Sequence, residues 1–197
     1  MGAALAVALL TLGTGFAAAP ALRLDEEGVP LLPMEPLRCG EGPGEAPEAR
    51  GEATPALHLR GRCRDGLAEG GWTASWDQGG KAWNGWFEAG FPDGRFKSWY
   101  PDGARRAWVY LAAGQRDGLT VLWWEGGRLR AVERYEQGLA QGCHTRWRQD
   151  GRLESRGAWL DGVAVARWLR WDEGGARSVE TLPGEPRTGR CFRWLLP

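Results

Sequence analysis

Histidine is scarce in this chain: His58 and His144 are the only two in 197 residues. No H-E-x-x-H pair exists, and Walker, EF-hand and G-x-S-x-G spacings are missing as well. Those gaps remove the common sequence signatures of metalloproteases, nucleotide hydrolases, calcium binders and serine hydrolases. The four cysteines, Cys39, Cys63, Cys143 and Cys191, include no C-x2-C pair, so nothing indicates a zinc cluster. Beyond residue 22 no apolar run approaches the ~20 residues of a membrane-spanning helix. Lysine is nearly absent too (Lys81 and Lys97), which leaves arginine as the basic residue. The sharpest enzymatic idea, a Cys143–His144 nucleophile pair, fails on geometry, because neighbours in a strand point to opposite faces. The GEGPG run from Gly40 has no strand before it and no helix after it, and is not a phosphate loop. The expectation is a protein that is not an enzyme and has no cofactor, metal or nucleic-acid partner.

What the chain does have is glycine and tryptophan, 31 and 13 of them, and both recur every 24 residues. Gly94, Gly118 and Gly142 are one period apart, with Ala166 next; Trp99, Trp123, Trp147 and Trp171 keep the same interval. So do Gly79, Gly103, Gly127, Gly151 and Gly175, and Gly66, Gly90, Gly114, Gly138 and Gly162. An apolar or aromatic position lies between them: Phe87, Leu111, Tyr135, Trp159 and, after a one-residue deletion, Leu182. Such phase over several copies marks a stacked repeat. In one unit, Leu119–Trp124 and Arg128–Tyr135 are runs of β formers around Glu125-Gly126-Gly127. Gly-Gly and Asp-Gly pairs tolerate the positive φ of tight hairpins. Each unit is therefore expected to be a hairpin, with Gly-x-x-x-Gly (Gly114 to Gly118, Gly138 to Gly142) linking it to the next. Phe87, Trp99, Leu111, Trp123, Tyr135, Trp147, Trp159 and Trp171 are expected to be the repeat core, each stacked on its copies in a continuous ladder.

Residues 1–22 are an uncharged apolar leader ending in small residues, which reads as an export signal cleaved after Ala18 or Ala21, or else as an anchor. Residues 23–66 follow, rich in Pro, Gly and Glu through position 57, and read as a flexible acidic segment. Eight acidic residues against Arg38 and Arg50 give residues 24–57 a charge of −6. With Arg23 adding one positive charge and the chain neutral, residues 58–197 carry +5. Four cysteines in an exported chain favour disulfides. Cys39 and Cys63 bracket the flexible segment and are expected to pair. Cys143 and Cys191, about 19 Å apart in a stack of regular strand spacing, are expected to stay free thiols.

Gly151-Arg152-Leu153-Glu154 … Trp159-Leu160-Asp161-Gly162 and Gly127-Arg128-Leu129-Arg130 … Tyr135-Glu136-Gln137-Gly138 resemble MORN (membrane occupation and recognition nexus) repeats. They are closer still to the variant in bacterial proteins labelled YwqK-type antitoxins. The resemblance covers 67–197, with departures at Ala166, at Ser75 and Trp76, and at the deletion before Pro183. It implies an all-β fold, an elongated single-layer antiparallel sheet of tandem hairpins. It also implies a role in scaffolding, protein binding or, in some members, lipid contact; the antitoxin label implies a neutralised partner toxin. It transfers no catalytic residue. The expected function is an exported protein-binding or structural scaffold in the periplasm, outer envelope or extracellular space. Arg105, Arg106, Arg128, Arg130, Arg134, Arg152 and Arg156 recur after the turns as a candidate partner-binding face. Anionic lipid is a disfavoured partner, because the acidic segment is free to fold over those arginines.

Overall fold

The computed structural model of the protein describes residues 24–30, 36–38 and 57–184. The leader, Cys39, Cys191 and most of the acidic segment lie outside them. The described chain is all-β. Twelve antiparallel strands form one open sheet: β1 (Leu57–Arg64), β2 (Leu67–Trp76), β3 (Lys81–Glu88), β4 (Phe91–Trp99), β5 (Arg105–Ala112), β6 (Gln115–Trp123), β7 (Leu129–Glu136), β8 (Leu139–Ala140), β9 (Gly142–Trp147), β10 (Leu153–Leu160), β11 (Val163–Trp171) and β12 (Arg177–Leu182). Strands follow one another in chain order, and only the short β8 leaves the path, pairing with β7. No helix among the described residues is long and apolar enough to cross a membrane.

Two turn types alternate along this meander. At one edge, Ala89-Gly90, Ala113-Gly114, Gln137-Gly138 and Asp161-Gly162 all have positive φ at both residues, as a two-residue I′ hairpin turn requires. At the other edge, three-residue loops close on Gly79, Gly103, Gly127, Gly151 and Gly175, each donating its N–H three residues back. The Gly-x-x-x-Gly stretch is thus no linker. Its first glycine completes a turn, and its second lies inside a strand. Gly70, Gly94 and Gly118 take positive φ at shifts in the pairing register, and Ala166 holds the same conformation (φ 60°) at the cost of a Cβ in the left-handed region. The sheet also starts earlier than residue 67. Leu57, Leu59 and Gly61 alternate in β1, which pairs with β2 (Leu57 with Trp76, Leu59 with Ala74), so the last part of the segment read as acidic spacer is a strand.

Consecutive hairpins are fastened by polar side chains 24 residues apart. The backbone N–H groups of Ala89, Ala113 and Gln137 donate to the carboxylates of Glu69, Asp93 and Asp117, and that of Asp161 to the Gln141 side chain. On the other edge Tyr100, Trp124 and Arg148 each donate forward to a backbone carbonyl, of Trp123, Trp147 and Trp171 respectively. Each unit therefore docks on its neighbour alone, the nearest-neighbour logic of a solenoid.

One face of the sheet, the core face, is buried. It rests on a size exchange between adjacent strands. Gly61 faces Trp72, Gly85 faces Phe96 and Gly157 faces Trp168; a methyl group on any of these glycines would overlap the ring. Trp72, Trp83, Phe87 and Phe96 are fully buried, with Trp83 stacked on Phe96 at 5.4 Å. Val29 and Leu37, from the two described N-terminal pieces, join this cluster.

The expected ladder is not what packs here. Phe87 and Leu111 are in the core, while Tyr135 and Trp159 are half-buried; their rings meet Trp72, Trp83, His144 and Trp168 rather than their own copies. Trp99, Trp123, Trp147 and Trp171 alternate away from the core face. Of these Trp123 is buried and the other three half-buried, with no ring contact among the four. Because Ser98 and Leu122 point into the core, the next residue in each strand must point outward.

Cys63 and Cys143 are both disulfide-bonded. The expected Cys39–Cys63 pairing involves a residue outside the described set. For Cys143 the free-thiol expectation is corrected. It assumed a partner in register along the strand ladder, and among the described residues that ladder is followed as far as Leu182. Cys143 points away from the core face and packs with Ala158, Leu160 and Val165 in a second small cluster.

Candidate functional site

The repeat positions that are small or apolar in the first hairpins turn polar in the middle of the sheet. At intervals of 24, Gly85 gives way to Val109 and then Glu133, Phe96 to Thr120 and then His144, and Pro92 to Arg116. Ala74, Ser98 and Leu122 lead to Arg146, and Ala82 leads to Arg106 and Arg130. Register shifts at Ser98/Trp99 and Leu122/Trp123 insert one extra residue beside the core-facing Ala107 and Ala131, which turns Arg106 and Arg130 to the core side.

Glu133 is wholly buried. Its carboxylate forms an ion pair with Arg146 Nη2 at 2.6 Å and accepts a hydrogen bond from the Tyr135 hydroxyl at 2.9 Å. The His144 ring lies 3.8 Å from it and meets the Arg134 carbonyl at 3.1 Å. Arg116 donates to the Tyr135 hydroxyl (3.1 Å) and reaches Asp25 at 2.9 Å. The acidic turn Asp25–Glu27 lies over this cluster. Glu27 is 3.4 Å from Arg130, and Arg106 donates to the main-chain carbonyls of Asp25 and Glu26. The turn is anchored behind by the buried Ser98 hydroxyl donating to the Gly28 carbonyl. Burial, reinforced by the adjacent Glu133 charge, pushes the Tyr135 pKa up to about 12. Burial lowers that of His144 from 6.5, with Glu133 opposing. Burial works against the charge on Arg146, but the Glu133 carboxylate outweighs it and raises its pKa. With Tyr135 neutral and Arg146 charged, the cluster is a fixed charge-assisted network.

The opposite, outer face presents aromatic rings and cations. Lys97 and Arg105 sit over the Trp108 ring at 4.9 and 5.1 Å, and Lys81 lies 5.8 Å from Trp99. Nearer the I′ turns a stripe crosses the strands: Arg62 in β1, Gly71, Trp86, Arg95, Tyr110, Leu119 and Arg134 in β7. Gly71 pairs with Trp86, Arg95 with Tyr110 and Leu119 with Arg134. Trp86 is 58% exposed, and Tyr110 and Leu119 each 44%. At its β1 end the stripe opens into a depression of about 330 Å³ lined by Arg62, Cys63, Arg64, Glu69, Gly70 and Trp86.

The seven arginines expected to share one face do not. Arg106 and Arg130 reach the core side and hold the acidic turn. Arg105 covers outer-face tryptophans, and Arg134 belongs to the outer stripe. Arg128 donates to the carbonyls of Gln149 and Asp150, and Arg152 pairs with Asp150, so both fasten a loop. Arg156 is half-buried. Arg116 and Arg146, which bind most of the buried acids, escaped the sequence reading. So did Trp86 and Tyr110, which are themselves 24 residues apart. The signal that marks Arg116, Glu133 and Arg146 in the sequence is departure from the repeat rather than recurrence. His144 faces Glu133 while Cys143 faces the other side of the sheet, so the two do not meet. Among the described residues no group of His, Cys, Asp and Glu is placed to hold a metal ion.

No family model matches the chain, and no curated protein is significantly similar to it.

Proposed function

We propose that this is an exported repeat protein without catalytic activity, of the MORN-like kind, that holds another protein on the outer face of its sheet. The observation that carries this reading is the exposure of Trp86, Tyr110 and Leu119 in the stripe across β3–β6. Exposed aromatic and aliphatic side chains grouped on a rigid surface are the usual anchors of protein interfaces. The I′ turns and the buried rings behind the stripe hold it in place before a partner arrives, which limits the entropy lost on binding. Export is supported by the apolar leader and by disulfide bonding at Cys63 and Cys143, which fits an oxidising compartment.

The test is capture from an envelope extract by the mature protein and by its Trp86→Ala/Tyr110→Ser/Leu119→Ser variant. A defined protein should be retained by the first and lost by the second, while Val163→Ser, exposed elsewhere, leaves capture unchanged. Equal capture by all three proteins would sink the outer-face reading.

A further inference from the structure

The outer stripe has a charge pattern as well as an apolar one. Arg62, Arg95 and Arg134 stand on β1, β4 and β7, three strands apart each time. Three spacings of about 4.8 Å make about 14 Å, the reach of about four residues of extended chain. None of the three guanidinium groups has a carboxylate partner among the described residues. Three carboxylates near the I′ turns are engaged elsewhere: Glu69, Asp93 and Asp117 accept from the turn amides of Ala89, Ala113 and Gln137. Between the arginines lie Trp86 on one side and Tyr110 with Leu119 on the other. Above Gly71 and Gly94 there is open space, so a second main chain has room to come close to the sheet.

We infer that this stripe takes an extended acidic polypeptide segment running across the strands, with carboxylates on Arg62, Arg95 and Arg134 and apolar side chains against Trp86, Tyr110 and Leu119. This rests on the reading of the outer face as a protein-binding surface and adds the chemistry of the partner. A polypeptide fits better than an anionic bilayer. Charged and apolar groups alternate along the stripe, and exposed Glu88 and Glu136 on the same face would repel a continuous negative surface.

The experiment uses the intact mature protein and a labelled peptide of about sixteen residues with glutamate at about every fourth position and leucine between, read by fluorescence anisotropy at low salt. Saturable binding is expected, weakening as salt rises. The Arg62→Gln/Arg95→Gln/Arg134→Gln variant should lose affinity at least about tenfold, as should a peptide with glutamine for glutamate. All three arginines are exposed, so the variant should keep the wild-type fluorescence spectrum and unfolding midpoint. Undiminished binding to the arginine variant, no saturable binding at all, or preferential binding to phosphatidylglycerol vesicles would each overturn the inference. A partner captured through Trp86, Tyr110 and Leu119 but indifferent to the arginine changes and to salt would overturn it while leaving the protein-binding reading intact.

Discussion

The hairpins around β2–β4 and those around β6–β9 share a backbone and differ in what fills it. In the first, Gly61 and Gly85 make room for Trp72 and Phe96, and the core is closed by aromatic contact. In the second, the equivalent pair is Glu133 and His144, tied to Tyr135, Arg146 and Arg116 and roofed by Asp25 and Glu27. Further along, Gly157 and Trp168 restore the apolar pair. The repeat therefore demands that two facing side chains fill one volume, and leaves open whether they do so by size or by charge. An apolar filling is closed by contact alone. A polar filling needs opposite charges for its buried groups, and the acidic turn and four arginines that gather there supply them.

The largest effect should come from the apolar side. Trp72→Ala should cost about 3–5 kcal/mol of unfolding free energy, whereas Trp147→Ala, half-buried on the outer face, should cost about 1–2 kcal/mol. Urea unfolding followed by the remaining tryptophans would separate them. Equal losses would mean that the two faces do not differ as described.

Next comes the polar pair. Glu133→Gln removes the charge facing Arg146 and should cost about 2–3 kcal/mol, less than for a fully enclosed pair, because Arg146 is 43% exposed and reaches water. Installing the apolar pair instead, Glu133→Gly with His144→Trp, should recover most of that loss, since the next unit already holds Gly157 and Trp168 in those places. If the double variant is less stable than Glu133→Gln alone, the units are not interchangeable.

The smallest effect is that of pH. His144 faces Glu133, Arg146, Arg116 and Tyr135, and burial lowers its pKa from 6.5. The unfolded chain thus takes up the proton more readily than the folded one. The contribution of neutral His144 is whole above about 6.5 and is lost as pH falls toward the folded value. Unfolding midpoints from about pH 7.5 down to about pH 5.5 should decline in the wild type and decline less in His144→Phe. Parallel slopes would show that the ring is not buried as a neutral group.

The sequence by itself determined the architecture. Glycine at fixed phase reports positions where φ must be positive, a purely local constraint, so turns, bulges and a meander of hairpins follow from Gly90, Gly94 and Gly103 and their copies. Which tryptophans are core was not local. Trp99 and Trp123 recur more visibly than Trp72 and Trp83, yet face outward, because each follows a residue, Ser98 or Leu122, that the neighbouring strands bury on the core face. Bulges in the partner strands turn Arg106 and Arg130 inward. Only the tertiary structure brought Asp25 and Glu27 to Arg116, about ninety residues away in sequence, since that contact depends on where the chain returns. The sequence specified each hairpin because turn geometry is decided within a few residues; faces and partners were decided by how the hairpins stack.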